Sequence, residues 1–152
     1  MAEYAYNLYC KDAKIIDFQK FSFPICDGDI CYEDPIVDEL KSEIKNSSSI
    51  LIASPIYNYD LNSVAKNLIE LTGKAWIEKL VGFISAAGGQ GSYMSPMSFA
   101  NSLMLDFRCI IIPRFVYADK TYFNSSKIND ANKDRIEELV DASILLSKAI
   151  NN

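Results

Sequence analysis

The sequence contains no histidine. That absence removes the Ser/His/Asp triad, the Cys/His dyad, the common histidine zinc sites and imidazole acid–base catalysis in one step. The four cysteines, Cys10, Cys26, Cys31 and Cys109, form no CxxC. The Cys26/Cys31 pair is too isolated for a metal knuckle, so no metal site is expected and the thiols should be buried or idle. No apolar run approaches the ~20 residues that span a bilayer, and Met1-Ala-Glu-Tyr-Ala-Tyr lacks the basic region and apolar stretch of a leader. A cytoplasmic, reducing location is the expectation, and it leaves the glycosylation sequons at Asn46 and Asn124 without consequence. Positive charge is also short: 15 basic against 20 acidic side chains give a net charge of −5, which offers nucleic acid and anionic lipid no general attraction.

What is present is the composition of one soluble domain. The chain has 152 residues, 49% of them hydrophobic and 23% charged, enough for a single core over 1–152. Ser49 to Ser54, Leu80 to Ala87 and Arg108 to Pro113 are apolar runs without alternation, as expected of parallel strands covered on both faces. Ala13 to Phe18 is shorter and partly alternating, which suits a strand nearer the sheet edge.

Segments of helical period lie between and around these runs. Asp34-Pro35 opens one, with Ile36, Val37, Leu40 and Ile44 on a single face. Asn62 caps a second that carries Val64, Ala65, Leu68, Ile69 and Thr72 inward before Gly73 ends it. Ser95-Pro96 starts a third, with Met97, Ala100, Leu103, Met104 and Phe107 inward, and Asp130 a last one with Ile136, Leu139, Val140 and Ile144. Glu3 to Cys10 reads as part of a further helix. Alternation of this kind predicts an α/β three-layer sandwich around a parallel sheet, because parallel neighbours need long right-handed crossovers. Ligands in such sheets bind beyond the carboxyl ends of the strands, which directs attention to Pro55 to Leu61, Gly88 to Tyr93 and Arg114 to Tyr117.

The first of these turns, Pro55-Ile-Tyr-Asn-Tyr-Asp60, combines a rigid ring, two aromatics and an amide, suited to lie against a flat polar heterocycle. The same residues also suit an ordinary turn in which Asn58 and Asp60 satisfy local backbone groups. The second, Ala86-Ala87-Gly88-Gly89-Gln90-Gly91-Ser92, holds three of the chain's six glycines, which permit positive φ and close approach of a ligand to main chain. Its plainer reading is a tight connection.

Taken in order, Ser54-Pro-Ile-Tyr-Asn-Tyr-Asp-Leu-Asn-Ser-Val-Ala-Lys-Asn67-Leu-Ile-Glu70, Lys79-Leu-Val and Gly88-Gly-Gln-Gly resemble the NADPH-dependent FMN reductase family of flavodoxin-like proteins. The resemblance implies a flavodoxin-like sandwich and an FMN ring held by Pro55, Ile56, Tyr57 and Asn58 on one side and by Ala87, Gly88, Gly89, Gln90 and Ser92 on the other. It implies an oxidoreductase in which FMN takes hydride from NAD(P)H and passes electrons to a quinone, azo, flavin or metal acceptor. No catalytic side chain is required of such a chain. Tyr93 and Arg114 are candidate substrate contacts, from their loop positions. A homodimer or homotetramer is implied, with the partner subunit closing the flavin site; neither nucleic acid nor a membrane is an expected partner. Lys66 and Asn67 are read as mainly structural.

The sequence also departs from the family. Proteins of that family usually begin with a buried strand and a Gly/Ser/Arg loop for the FMN phosphate, and this sequence shows neither ahead of Ala13. In a sheet of order 2-1-3-4-5 that strand would lie between the Ala13 and Ser49 strands. Each charge-assisted hydrogen bond missing from the phosphate removes about 1.5–3 kcal/mol. The departure motivates a second expectation, a flavodoxin-like interaction or oligomerisation module that works without a cofactor.

Overall fold

The structure is a computed structural model that describes residues 1–9, 12–124 and 127–150. Local chemistry sets the helices. In α2 (Pro35–Asn46) the Asp34 carboxylate accepts from the Ile36 N–H at 3.0 Å. In α3 (Ser63–Thr72) the Asn62 side chain accepts from the Val64 N–H at 2.7 Å, and Gly73 at φ +42° ends the helix. Lys79 closes α2 from a distance: its ammonium donates to the Lys45 and Ser47 carbonyls at 2.5 and 2.9 Å, where the helix dipole favours a cation. Helices α1 (Ala2–Leu8), α4 (Pro96–Phe107) and α5 (Asp130–Ile150) complete the set.

Strand β1 (Ser49–Tyr57) runs parallel to β3 (Leu80–Ala86) in register from Ser49 opposite Leu80 to Pro55 opposite Ala86. The other edge of β3 is shared by two short parallel strands. β4 (Ile110–Ile111) lies beside Leu80 and Val81, and β5 (Val116–Ala118) beside Ile84 to Ala86. The two-residue strand β2 (Asp60–Leu61) folds back antiparallel on the end of β1, and β6 (Phe123–Asn124) and β7 (Lys127–Ile128) form a separate hairpin. Leu40, Ile44, Leu68, Ile69, Phe99 and Leu103 cover one face of the sheet over Val81 and Phe83. Ala5, Ile136, Leu139 and Val140 cover the other over Leu80 and Ile84. The expected α/β/α layering is therefore present.

Four expectations need correction. Ala13 to Phe18 is not a strand. Its side chains go to the helical layer, Lys14 to Glu43 at 2.6 Å and Ile16 and Phe18 to the α2–α3–α4 cluster, and Asp17 then closes a turn on the Gln19 N–H. The Arg108 to Pro113 run yields only β4, because Arg108 at φ +56° caps α4 and Pro113, lacking an N–H, interrupts pairing until β5. The α4 stripe is rotated: Phe99, Ala100 and Leu103 are buried, whereas Met97 and Met104 are exposed. Finally, Val64 of the expected α3 stripe is exposed. β1 packs on both faces as expected, Ile50 and Ile52 into one cluster and Leu51 into the other, and what it leaves bare is an edge. Along Ser49 to Pro55 it pairs only with β3, and no described strand lies on its other edge.

Among the thiols, Cys31 and Cys109 are buried and Cys26 is half-buried; Cys10 lies outside the described residues. Burial pushes the Cys109 thiol up to about 11, which keeps it protonated at neutral pH. Among the described residues, no helix is long and apolar enough to cross a membrane.

Candidate functional site

The two turns singled out by sequence lie side by side at the carboxyl end of the sheet, and they are built differently. The first is a tight hairpin. β1 continues through Pro55, Ile56 and Tyr57, a proline being tolerated because β1 is an edge strand. The chain then reverses through Asn58 at φ +52° and Tyr59 at φ +62° into β2. Two left-handed residues in succession are the signature of a type I′ turn, which matches the twist of the strands it joins. Ser54 holds the hairpin from beneath by accepting the Asn62 N–H at 3.1 Å. Asp60 accepts from the Ser98 hydroxyl at 2.8 Å and so ties the hairpin to the first turn of α4. Ile56 is buried, so only its main chain can meet a ligand, whereas Pro55, Tyr57, Asn58 and Tyr59 are exposed.

The second turn leaves β3 after Ala87, whose N–H still bonds to the Ala118 carbonyl at 2.9 Å. Neither Gly88 nor Gly89 uses the positive φ that the sequence suggested. What glycine supplies here is clearance: a Cβ at either position would have no heavy atom within 4 Å. Among the described residues, no backbone acceptor takes the Gly88 or Gly89 N–H. Two main-chain donors without a backbone acceptor therefore stand in an uncrowded turn beside an aromatic hairpin. The turns meet through Tyr59, whose hydroxyl stands 3.5 Å from the point a Cβ on Gly91 would occupy.

Ser92 and Tyr93 of this second turn reach toward β5, while Gln90 is exposed. The Ser92 hydroxyl lies 2.9 Å from the Tyr117 hydroxyl, which donates to the Gly89 carbonyl. Tyr93, half exposed, sets its ring edge-on to Tyr117 with centroids 5.6 Å apart. The buried Asp119 carboxylate accepts from the Thr121 hydroxyl at 2.6 Å and the Thr121 N–H at 2.7 Å. These bonds, with a smaller contribution from the Gln90 amide, hold Asp119 below the usual carboxylate range. Tyr117 ends the Arg114 to Tyr117 stretch marked from sequence, but its role was not foreseen and Asp119 was not singled out, because β5 was not foreseen. The signal was the short Phe-Val-Tyr-Ala-Asp run after Pro113.

Ser54, Ser85 and Tyr117 stand in one register row across β1, β3 and β5. The outer two each hold a turn, and the Ser85 hydroxyl between them is buried with no partner among the described residues. Arg114 is placed elsewhere. It precedes β5, four residues before Ala118 at the strand's carboxyl end, and pairs with Glu138 of α5 at 3.4 Å. Asn67, read as structural, bridges the Pro24 carbonyl and the Cys26 N–H, both at 2.8 Å. A concavity of about 360 Å³ is lined by Pro24, Asp27 and Ile30 at the start of α2 rather than by the two turns.

The family described as NADPH-dependent FMN reductase matches residues 1–123. An NAD(P)H:quinone oxidoreductase of Solanum tuberosum is 31% identical over 85 residues, 53% of this chain and 44% of that protein. The chain spans about half the length of the curated relatives it matches. In fold it is similar to FerB, a flavoenzyme NAD(P)H:(acceptor) oxidoreductase from Paracoccus denitrificans, at TM-score 0.70 and 16% identity over 93% of this chain and 87% of that one. A flavodoxin from the domain Archaea is similar at TM-score 0.58 and 14% identity, over 99% of this chain and 88% of that one. The sandwich is thus flavodoxin-like, and with most of its length matched the chain belongs to the NADPH-dependent FMN reductase family.

Proposed function

We propose that the Tyr57 hairpin and the Gly88–Gly89 turn hold the isoalloxazine ring of FMN, and that the chain serves as an NAD(P)H-dependent oxidoreductase for a small electron acceptor, a quinone first among them. The observation that carries the reading is the clearance at Gly88 and Gly89 together with their two N–H groups, which have no backbone acceptor among the described residues. A planar ring needs both an open cradle and donors for its polar edge. FMN, when bound, supplies hydride acceptance and onward electron transfer.

The chain's part is to bind and orient. Gly88 and Gly89 present main-chain donors, Tyr57 presents an exposed apolar wall, and the buried Ile56 fixes the height of the hairpin main chain. No side-chain base is needed, in keeping with a sequence that has no histidine. Tyr93 borders the mouth of the cleft and is the candidate contact for the acceptor. Arg114, bound to α5, serves this role only by breaking its ion pair with Glu138. Pairing of two copies would bring a second surface to the exposed Tyr57, Tyr59 and Tyr93.

The test is titration of purified protein into FMN, followed by quenching of flavin fluorescence, and then NAD(P)H oxidation in the presence of quinones, dyes and ferric complexes. Saturable quenching with turnover supports the reading. Absence of both overturns it and favours the cofactor-free module, which the unpaired outer edge of β1 independently suits. A melting temperature that stays fixed on adding millimolar FMN would point the same way, since a ligand of the native state must stabilise it.

A further inference from the structure

We infer that Tyr117 and Asp119 are positioning residues for the glycine turn: the Tyr117 hydroxyl clasps both ends of the Gln90–Ser92 segment, and Asp119 anchors the strand end behind it. The inference deepens the proposed flavin site and rests on that reading for its functional consequence. The phenol has one proton, and it is donated to the Gly89 carbonyl. The Ser92 hydroxyl 2.9 Å away must then donate to the phenol oxygen. Ser92, Tyr117 and Gly89 therefore form one directed relay across a turn whose own regular structure is a single three-residue 3₁₀ segment, Gln90–Ser92.

The relay decides which way the turn faces. The Gly89 carbonyl, drawn inward to Tyr117, fixes the Gly89–Gln90 peptide plane, and among the described residues the Gly88 and Gly89 N–H groups before it have no backbone acceptor. Three glycines in five residues cannot impose that orientation themselves, because glycine has the widest conformational freedom of any residue. The constraint has to come from a rigid element, and β5 is one: Tyr117, Ala118 and Asp119 are each at most 5% exposed. Asp119 holds the chain immediately after the strand by accepting twice from Thr121, which fixes the height at which Tyr117 leaves the sheet. Neither residue is placed to touch the reacting atoms; both act through the turn.

Tyr117→Phe removes the hydroxyl and keeps the ring, and Ser92→Ala cuts the same relay at its other end. Amide hydrogen exchange of the flavin-free proteins is the first readout. The expected result is exchange at Ser92 and Tyr93, the amides that the 3₁₀ segment protects, faster by about 10-fold or more in each variant, with the β3 amides Leu80 to Ala86 unchanged. FMN affinity, read by fluorescence titration, should fall about 10-fold for Tyr117→Phe. The double variant should be little worse than either single one, because both cut one relay. Unchanged exchange at the turn overturns the inference, as does a loosening of turn and β3 together or full additivity of the two substitutions. Should Tyr117→Phe not fold, Ser92→Ala alone decides by the same exchange criterion. A wild-type protein that fails to bind FMN sinks the functional reading, while the exchange data still decide whether the clasp exists.

Discussion

The two strands that feed the site carry similar sequences in unlike surroundings. Ser49-Ile-Leu-Ile-Ala-Ser54 and Leu80-Val-Gly-Phe-Ile-Ser-Ala86 are both apolar runs, and both fold as parallel strands in register with one another. Every residue from Leu80 to Ser85 is buried, whereas Ser49 to Ile52 are only half-buried and Ala53 is exposed. The cause is the pairing: among the described residues β3 has a partner along both edges, whereas β1 along Ser49 to Pro55 has one. The turns inherit the contrast. The hairpin after β1 is held by local bonds from Ser54 and Asp60 and by one distant tie, Asp60 to Ser98, while the glycine turn after β3 is held by Tyr117, 28 residues from Gly89. An apolar run reports that a strand forms; what surrounds it depends on the rest of the sheet.

The most disruptive way to sharpen this comparison is to remove a large side chain from each strand. Phe83 is 0% exposed and packs edge-on to Phe115 at 5.6 Å. Phe83→Ala should cost about 3–5 kcal/mol from lost burial and the cavity left behind. Ile52, half-buried in the same cluster, should cost about 1–2 kcal/mol as Ile52→Ala, because part of its surface already meets water. Urea unfolding of the two variants measures both values, and equal losses would mean that the outer edge of β1 is covered in solution.

How far the sequence could be read follows the same division. The capped helices α2 and α3 and the strand cores were legible because Asp34-Pro35, Asn62 and Gly73 act within one or two turns. The placement of Tyr57 and Asn58 at the sheet's carboxyl end was legible too, although the extension of β1 through Pro55 was not, since it depends on β1 being an edge. Ala13 to Phe18 has the alternation of a strand, yet Lys14, Ile16 and Phe18 find partners on the helical layer instead. Tyr117 lay in a stretch marked from sequence, but what it and Asp119 do was hidden for a related reason. Their role exists only once β5 resumes pairing on β3 beyond Pro113, a long-range event with no local signature.

A second comparison sets the bare side of the site against its aromatic side. Gly88→Val puts a branched side chain into space where the protein has no atoms within 4 Å of the Cβ position. The flavin-free stability should hardly move, while FMN affinity falls by at least about 10-fold, one RT ln 10 step of 1.4 kcal/mol. Tyr57→Ala takes one aromatic wall from a position already 60% exposed and should weaken FMN by only about 3-fold. Fluorescence titration of both proteins, with melting curves as the control, ranks them; a Tyr57 effect larger than the Gly88 effect would reverse the assignment of the cradle.

Acid should find the glycine turn through Asp119. Its carboxyl is held below the ordinary value of 3.8, first by the Thr121 hydroxyl and then by the Thr121 N–H. A depressed native pKa means that the folded protein prefers the ionised form, so the stabilisation is fully present above the unfolded value. It is lost as pH falls through the native one. The stability gap between the native protein and Asp119→Asn should therefore be constant from neutral pH down to about pH 5 and shrink below the usual carboxylate range. Urea midpoints measured along that series test it, and a gap that stayed constant to the lowest pH would place the anchoring elsewhere than in the charge.

The smallest expected effect belongs to the hairpin, and it runs in the opposite direction. Tyr59 holds φ +62°, a left-handed conformation that costs an L-residue about 1–2 kcal/mol. Tyr59→Gly relieves that strain but gives the unfolded chain more freedom, which returns roughly 0.5–1 kcal/mol. The net gain should be about 0.5 kcal/mol, read as a slightly higher urea midpoint. Asn58→Gly next to it should gain less, because asparagine tolerates the left-handed region far better than tyrosine does. A residue kept in a strained conformation at 72% exposure is not there for the core; its hydroxyl reaches toward Gly91. If Tyr59→Gly is more stable yet weakens FMN, the strain at this turn is retained to keep the ring across the gap between the two turns. If it is less stable, the contact with the glycine turn outweighs the strain, and the two halves of the site support each other even without ligand.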